Sequence, residues 1–537
     1  MNKKALYMKK LYLLLASACY CLQVYGQYIE YAEPVNDPES CTSIMVGKKA
    51  SADGSVITSH TCDGNYRTWM NIVPAKTYDR DTVTGIYDGL MHTEFTNDQT
   101  NVKLKGTIPQ VGSTYQFLNT AYPCLNEKQL AIGETTITGR KELINRDGMF
   151  MIEELQRIVL ERCTTARQAI TLIGELVKTY GYADSGECLT FADPKEVWHF
   201  EIFGEGPGKI GGVWAAVRIP DDHVGVSANI PRISSINIKD KENYMASENV
   251  FDVARNLGYW DGKAPFCFWK AYGGGEKAFN IREFFILNYL APSLNLSYDA
   301  AELPFTVKPE KPVSVTDVAA LLRQTYEGTQ WDMTQNLKIA VKQKDSEAYD
   351  TITSPTANPW MVMDMVHMLN GVKEDAVTRY RLVSVPQCSY SFVVQLRDWM
   401  PDAIGGVAWM SFDNPGQSPR IPIFTGTTDL PASFNICGQH RYREDATIWT
   451  YRRANKLATV RWGLTRDLMN EAFDHFEEKG QTELPFVEKR YQDIAATKGE
   501  AAAKAYLTGY TADFTGATLL RWKELGDTFW KMFARGF

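Results

Sequence analysis

Cys41, His60 and Asp63 fall within one short stretch, CTSIMVGKKASADGSVITSHTCDG, running from Cys41 to Gly64. A cysteine attacks a carbonyl only as thiolate, so some group must take its proton. The seven histidines include no HExxH pair, and no GxSxG elbow occurs anywhere in the chain. A base that needs no further residue is the α-amine of Cys41 itself, set free if the chain is cut between Ser40 and Cys41. Such an amine ordinarily titrates at about 7.7–8.0, which suits a base near neutral pH. It is covalently fixed beside the thiol it serves. Asp63 could hydrogen-bond the ammonium form and orient it. The plain alternative is a small apolar residue at the start of a buried strand.

Local structure brings these groups together. CTSIMV and SVITSHT are β-rich runs flanking Ala52-Asp53-Gly54, the pattern of an antiparallel hairpin. With the turn centred on residue 52, Cys41 pairs with Asp63 at the end of the second strand. The connection GKKASADG exceeds a two-residue turn, so the exact register stays open.

The preceding residues read as removable. Lys3, Lys4, Lys9 and Lys10, the apolar run Leu11 to Val24 and a small-residue site at Val24-Tyr25-Gly26 make 1–26 an export signal. The apolar run is shorter than the roughly 18 residues of a membrane span. The expected location is the periplasm or the extracellular space. Ala16-Ser17-Ala18-Cys19 faintly resembles a lipoprotein box, which makes lipid anchoring at Cys19 the minor reading. Residues 27–40, QYIEYAEPVNDPES, carry four acids, no base and two prolines, an extended spacer read as a propeptide.

Ten cysteines become eight once 1–26 is removed, and no pair shows CxxC spacing. Zinc and dithiol redox chemistry are therefore not indicated, and neither metal nor cofactor is expected. The formal charge of −7 over 537 residues leaves no basic surplus for nucleic acid.

Farther along, LNEKQLAIGETTI reads as a turn and a strand, 150–162 as helix, and TTARQAITLIGELVKTYG as an amphipathic helix capped at Thr164 or Thr165 and stopped at Gly181. ECLTFAD, EVWHFEIFG, GGVWAAVRIP and HVGVSANIP follow as strands, then SYSFVVQLR and GGVAWMSFDNP. From about Ala446 the chain turns helical to its end. Strands, two helices and strands again indicate an α+β fold with helices packed on sheets.

Together CTSIMVGKKASADGSVI, NEKQLAIGETT (126–136), SYSFVVQLR (389–397), GGVAWMSFDNP (405–415), IPIFTGTTDLPASF (421–434) and DATIWTYRRANKLATVRW resemble one family. It is that of the N-terminal-nucleophile cysteine dipeptidases, the dipeptidase A type, distantly related to choloylglycine hydrolases and penicillin V acylases. The resemblance covers most of 41–465 and implies a four-layer αββα sandwich of two antiparallel sheets. That peptidase domain would span 41–445, with 446–537 as a helical section packed on it. It implies Cys41 as nucleophile, Asp63 as contact of amine and thiol, and Asn229 in SANIPRIS as an amide that helps bind the oxyanion. The substrate would be a dipeptide or short peptide.

One departure stands out: choloylglycine hydrolases carry arginine where this chain has His60. That weighs against bile-salt and penicillin substrates and leaves His60 open between a structural role and a substrate contact. Arg381 is read as a solvated strand-edge arginine, with a substrate contact as the alternative. Asn126 is read as shaping a turn near the cleft, again with substrate contact as the alternative, and Cys62 as core. An acylase acting on non-peptide amides and a non-catalytic secreted binding protein are the rival functions. Homo-oligomerisation is left open.

Overall fold

A computed structural model describes residues 40–534. The signal reading and all of the spacer except Ser40 lie outside the described residues. The hairpin forms. β1 (Ser43–Val46) and β2 (Val56–Asp63) are antiparallel, with Met45 opposite Thr58 and Val46 opposite Ile57. Thr42 bridges Thr61, and the Ser40 amide donates to the Asp63 carbonyl at 3.0 Å. The register is thus one residue away from a turn centred on residue 52. Asp63 lies across from Ser40, and Cys41 across from Cys62. The loop is anchored elsewhere, with the Lys49 and Ala50 amides donating to the Asp221 carbonyl at 2.7 and 2.9 Å. Because side chains alternate along a strand, the shift decides faces: Cys41 shares one with Cys62 and His60, Asp63 the other with Thr61.

The remaining strands are β3 (Asn71–Val73), β4 (Phe117–Asn119), β5 (Leu125–Asn126), β6 (Ala131–Thr136), β7 (Glu187–Ala192), β8 (Val197–Phe203), β9 (Val213–Arg218), β10 (Val224–Ser227), β11 (Tyr244–Ala246), β12 (Thr306–Val307), β13 (Cys388–Leu396), β14 (Gly406–Phe412) and β15 (Ile421–Phe424). They build a seven-stranded sheet, β12-β10-β1-β2-β13-β14-β15, and an eight-stranded one, β11-β9-β8-β7-β6-β5-β4-β3. Every pairing in both is antiparallel. Three further two-stranded ribbons lie outside these sheets.

The two large sheets face one another, with β6 and β7 against β2 and β6 and β8 against β1. At Gly133 they come so close that a Cβ would fall 2.4 Å from the Ser59 carbonyl oxygen. Glycine is needed there, and its neighbour Glu134 is carried to the centre between the sheets. Helices α1 (Ile152–Arg162) and α2 (Ala166–Tyr180) lie against β4, β5, β7 and β8. α2 starts at the Thr165 cap, whose side chain accepts from the Gln168 amide, and ends at Gly181 with φ of +85°. On the seven-stranded sheet lie α3 (Ile281–Leu290), against β10, and α4 (Val315–Leu322), against β2 and β13. The C-terminal helices are α5 (Thr447–Val460), α6 (Trp462–Lys498) and α7 (Glu500–Met532); α5 packs on β14, α7 on β15, and α6 against both helices. With both faces covered, β2 and β13 are buried at every position and show no polar alternation. Among the described residues no disulfide joins any of the eight cysteines from Cys41 onward. No helix among the described residues is long and apolar enough to cross a membrane.

Glu153 on α1 is buried with neither carboxylate oxygen given a donor. Burial, Asp184, Glu154 and Asp88 push its carboxyl well above the usual 4.5. The folded chain therefore holds a proton that the unfolded chain loses above about pH 4.5, and this group's contribution to stability falls as pH rises through that window. Glu153→Gln is expected to raise the melting temperature more at pH 8 than at pH 5. The difference should be about 1–3 °C, since at about 2.1 cal/mol/K per residue about 1 kcal/mol corresponds to about 1 °C in a chain this long. Thermal melts of both proteins at the two pH values check it, and an equal shift at both would contradict it.

Candidate active site

The backbone nitrogen of Cys41 is the best-furnished atom in this region. It donates to Asn229 Oδ1 at 3.0 Å. Arg282 Nη2 donates to the same oxygen at 2.7 Å and to the Ala228 carbonyl at 2.9 Å, while Arg282 Nη1 donates to the Cys41 carbonyl at 2.8 Å. Arg282 is placed by the start of α3, where Asn280 and Glu283 form a capping box. The same two residues clamp Ala228: Glu283 Oε1 accepts from its amide at 3.0 Å and Asn280 Nδ2 donates to its carbonyl at 2.6 Å. Asn229 then turns with φ of +68°, a conformation asparagine tolerates well.

Asn229 Nδ2 donates one of its two N–H groups to the Thr136 carbonyl at 2.6 Å, which leaves the second for another acceptor. Two donors converge on the other end, which identifies it as the oxygen. Asn229 thus accepts from the nitrogen of residue 41 through Oδ1.

On the thiol side, the Cys41 sulfur, a ring nitrogen of His60 and a carboxylate oxygen of Glu134 all lie within 4.8 Å of one another, and all three residues are buried. Thiol, imidazole and carboxylate are a donor set that could hold a metal ion, which would then occupy the nucleophile. His60 Nδ1 bonds the Glu134 carbonyl at 2.7 Å, and the ring is flanked by Tyr122, Tyr390 and Phe392. Burial lowers its pKa to about 4, so it is neutral at pH 7, and Nε2 has no partner. The Cys41 thiol is pushed well above its usual range by burial and by the negative charges of Glu134 and Asp63, with a hydrogen bond to the Asp63 backbone pulling the other way. With Ser40 still attached, the sulfur is held protonated. Burial raises Glu134 to about 7, and beside it Glu187 is driven well above the usual range by burial and the Glu134 charge.

Asp63 is buried one residue past the position facing Cys41. Its Oδ2 accepts from Arg381 Nη2 at 2.9 Å and from the Thr61 hydroxyl at 3.1 Å, while Oδ1 has no donor. Burial pushes this carboxyl up and Arg381 pulls it back. Arg381 is not the solvated strand-edge arginine expected. Besides Asp63 it donates to the Ser40 hydroxyl at 3.0 Å through Nε, to the Ser40 carbonyl at 3.3 Å through Nη2, and to the Leu382 carbonyl. Its side chain is 17% exposed. Asp63, at the end of the hairpin, binds the cation and so places it on the Ser40–Cys41 peptide bond.

Asn126 belongs to the scaffold. Its Nδ2 donates to the Leu160 and Cys163 carbonyls at the end of α1, and its Oδ1 accepts from the Lys128 and Leu130 amides. These four bonds tie the turn to the end of α1 and use both ends of the Asn126 side chain. Cys62 is buried in the main core cluster. Arg282, Glu134 and Glu187 were not singled out in the sequence. The N280-x-x-E283 capping signature was a readable sign of a helix start at Arg282.

Comparison with known proteins makes the chain a peptide-bond hydrolase. It belongs to peptidase family C69, whose model matches residues 40–475. The chain is 25% identical over 491 residues to a probable dipeptidase of Latilactobacillus sakei, covering 87% of this chain and 90% of that protein. It is also 25% identical over 466 residues to probable dipeptidase B of Lactococcus lactis subsp. lactis (strain IL1403), covering 80% and 84% of the two chains. A probable dipeptidase of Salmonella dublin is 25% identical over 413 residues, covering 72% of this chain and 81% of that one.

Proposed function

We propose that this chain is an exported cysteine dipeptidase whose nucleophile is Cys41 after removal of residues 1–40. The observation that carries the reading is the concentration of polar partners on the nitrogen of residue 41 and on the peptide bond before it. An ordinary buried cysteine has no use for an asparagine, two arginines and an aspartate gathered around its main chain. The family match beginning at residue 40 and the dipeptidase names of the relatives support the same conclusion. In this reading the two facing sheets with helices on both outer surfaces are the four-layer αββα sandwich of the N-terminal-nucleophile hydrolases.

The chemistry runs in two stages. In maturation the Cys41 sulfur attacks the Ser40 carbonyl, whose oxygen Arg381 polarises; the C–N bond breaks, the thiol proton passes to the departing nitrogen, and the acyl group is left on sulfur. Water cleaves the thioester, releasing the leader as a carboxylic acid and leaving a free thiol and a free amine. The amine stays on Asn229 Oδ1, and Asp63 Oδ1 is the acceptor in reserve for its ammonium form. In turnover the amine takes the thiol proton and the sulfur attacks the substrate carbonyl. The amine then delivers that proton to the departing amino group, and water clears the thioester. Export to the periplasm or beyond follows from the signal reading of 1–26.

Iodoacetamide is the direct test. Dipeptide hydrolysis by the mature protein should be lost in step with a single rapid label on Cys41, the one thiol served by its own freed α-amine, the other thiols being slow because they have no such base. Full labelling of Cys41 with hydrolysis undiminished would overturn the assignment.

A further inference from the structure

Glu134 is an unusual neighbour for a thiol that must ionise. Its Oε1 accepts from Thr136 Oγ1 at 3.2 Å, but Oε2 has no donor, and neither has Oε2 of the adjacent Glu187. The imidazole facing Glu134 Oε2, at 3.9 Å, belongs to His60, whose Nδ1 is already engaged by a carbonyl and whose Nε2 is a second buried acceptor without a donor. A buried carboxylate left without a counter-charge is costly, and Glu134 avoids that cost only by holding a proton, since burial raises it to about 7. Acceptors lacking donors beside a nucleophile mark a place for a ligand that brings donors and positive charge.

Distances select the ligand. In an amino acid the α-nitrogen lies about 2.5 Å from the carbonyl carbon, as the bond lengths require. The attacking sulfur sits about 3–3.5 Å from that carbon, and an ammonium–carboxylate contact spans about 2.7–2.9 Å. An acceptor for the α-ammonium must therefore lie a few ångströms from the sulfur, and a Glu134 oxygen lies within 4.8 Å of it. We propose that Glu134, backed by Glu187, receives the free α-ammonium of the residue whose carbonyl Cys41 attacks, so that only the first peptide bond of a peptide is cut. The inference rests on Cys41 being the nucleophile and adds the group that reads the amino end.

The test compares alanyl-alanine with N-acetyl-alanyl-alanine, using mature wild type and mature Glu134→Gln. Wild type should cleave the free dipeptide at least about 100-fold faster in kcat/KM than the acetylated one. Glu134→Gln should lose roughly 100-fold on the free dipeptide, the usual scale for removing one partner of a buried charge pair. The acetylated substrate reads the separate effect of removing a charge that raises the Cys41 thiol, so the free-to-acetylated ratio is the readout and should collapse. Propionyl-alanine, which lacks the amine, should compete with the free dipeptide in wild type far more weakly than a second free dipeptide does. Wild type indifferent to acetylation, or a ratio unchanged in Glu134→Gln, would overturn the proposal. If Glu134→Gln does not mature, the wild-type panel decides alone. Rapid alkylation of Cys41 in the same preparations separates failure of this subsite from failure of the nucleophile assignment.

Discussion

Cys41→Ala protein is expected to show dipeptide hydrolysis reduced by at least about 10⁴-fold, the scale seen when a nucleophile is removed from a site that works as a unit. The substitution deletes one sulfur from a fully buried position whose backbone contacts do not depend on it. The fold should therefore persist, and circular dichroism and melting should stay close to wild type. The same variant should also keep its leader, because the sulfur that would attack the Ser40 carbonyl is gone. Activity assays and intact mass on one preparation read both outcomes. An alanine variant processed as efficiently as wild type would remove self-cleavage from the scheme while leaving the nucleophile assignment standing; near-normal activity would remove the nucleophile as well.

Arg381→Leu is the second large effect. In the folded chain this guanidinium neutralises Asp63 and holds the carbonyl of Ser40. Its loss leaves a buried carboxylate without its ion-pair partner, a change that typically costs about 3–5 kcal/mol. Arg381 is one of the groups that hold the Asp63 carboxyl down against burial, so without it the carboxyl titrates higher still. Maturation is expected to slow by at least about 100-fold, on the same energetic scale. In whatever fraction matures, the acid limb of kcat/KM should move to higher pH. Arg381→Lys should fall between, because a lysine cannot span Asp63 and Ser40 with one rigid fork. Time courses of leader loss by mass spectrometry and a pH profile of kcat/KM measure these effects. Normal maturation together with an unmoved acid limb would contradict the role given to Arg381.

What the sequence made legible were the local relations. The hairpin from β1 to β2 follows from two β-rich runs around Asp53-Gly54, and α2 from its apolar spacing between Thr165 and Gly181. Both are set by residues near one another in the chain. The register was out by one because the loop's anchor, the carbonyl of Asp221, lies far away in sequence. That single step moves Asp63 to the position facing Ser40. Arg282 reaches Cys41 across 241 positions, and Arg381 reaches Ser40 across 341. No periodicity reports such a contact. The strand-edge reading of Arg381 was reasonable from its neighbours and wrong in space, since a buried Asp63 needs a cation and this one lies within reach. Asn229 lies beside Cys41 with its oxygen turned to the nitrogen of residue 41, an oxygen that Arg282 also holds.

The most direct measurement is the mass and N-terminal sequence of the purified protein in the form that hydrolyses dipeptides. The account predicts that this form begins at Cys41, with a free α-amine and a free thiol on the same residue. Fully active protein in which the nitrogen of residue 41 still carries an acyl group would contradict it, since the sulfur would then have no base attached to its own residue.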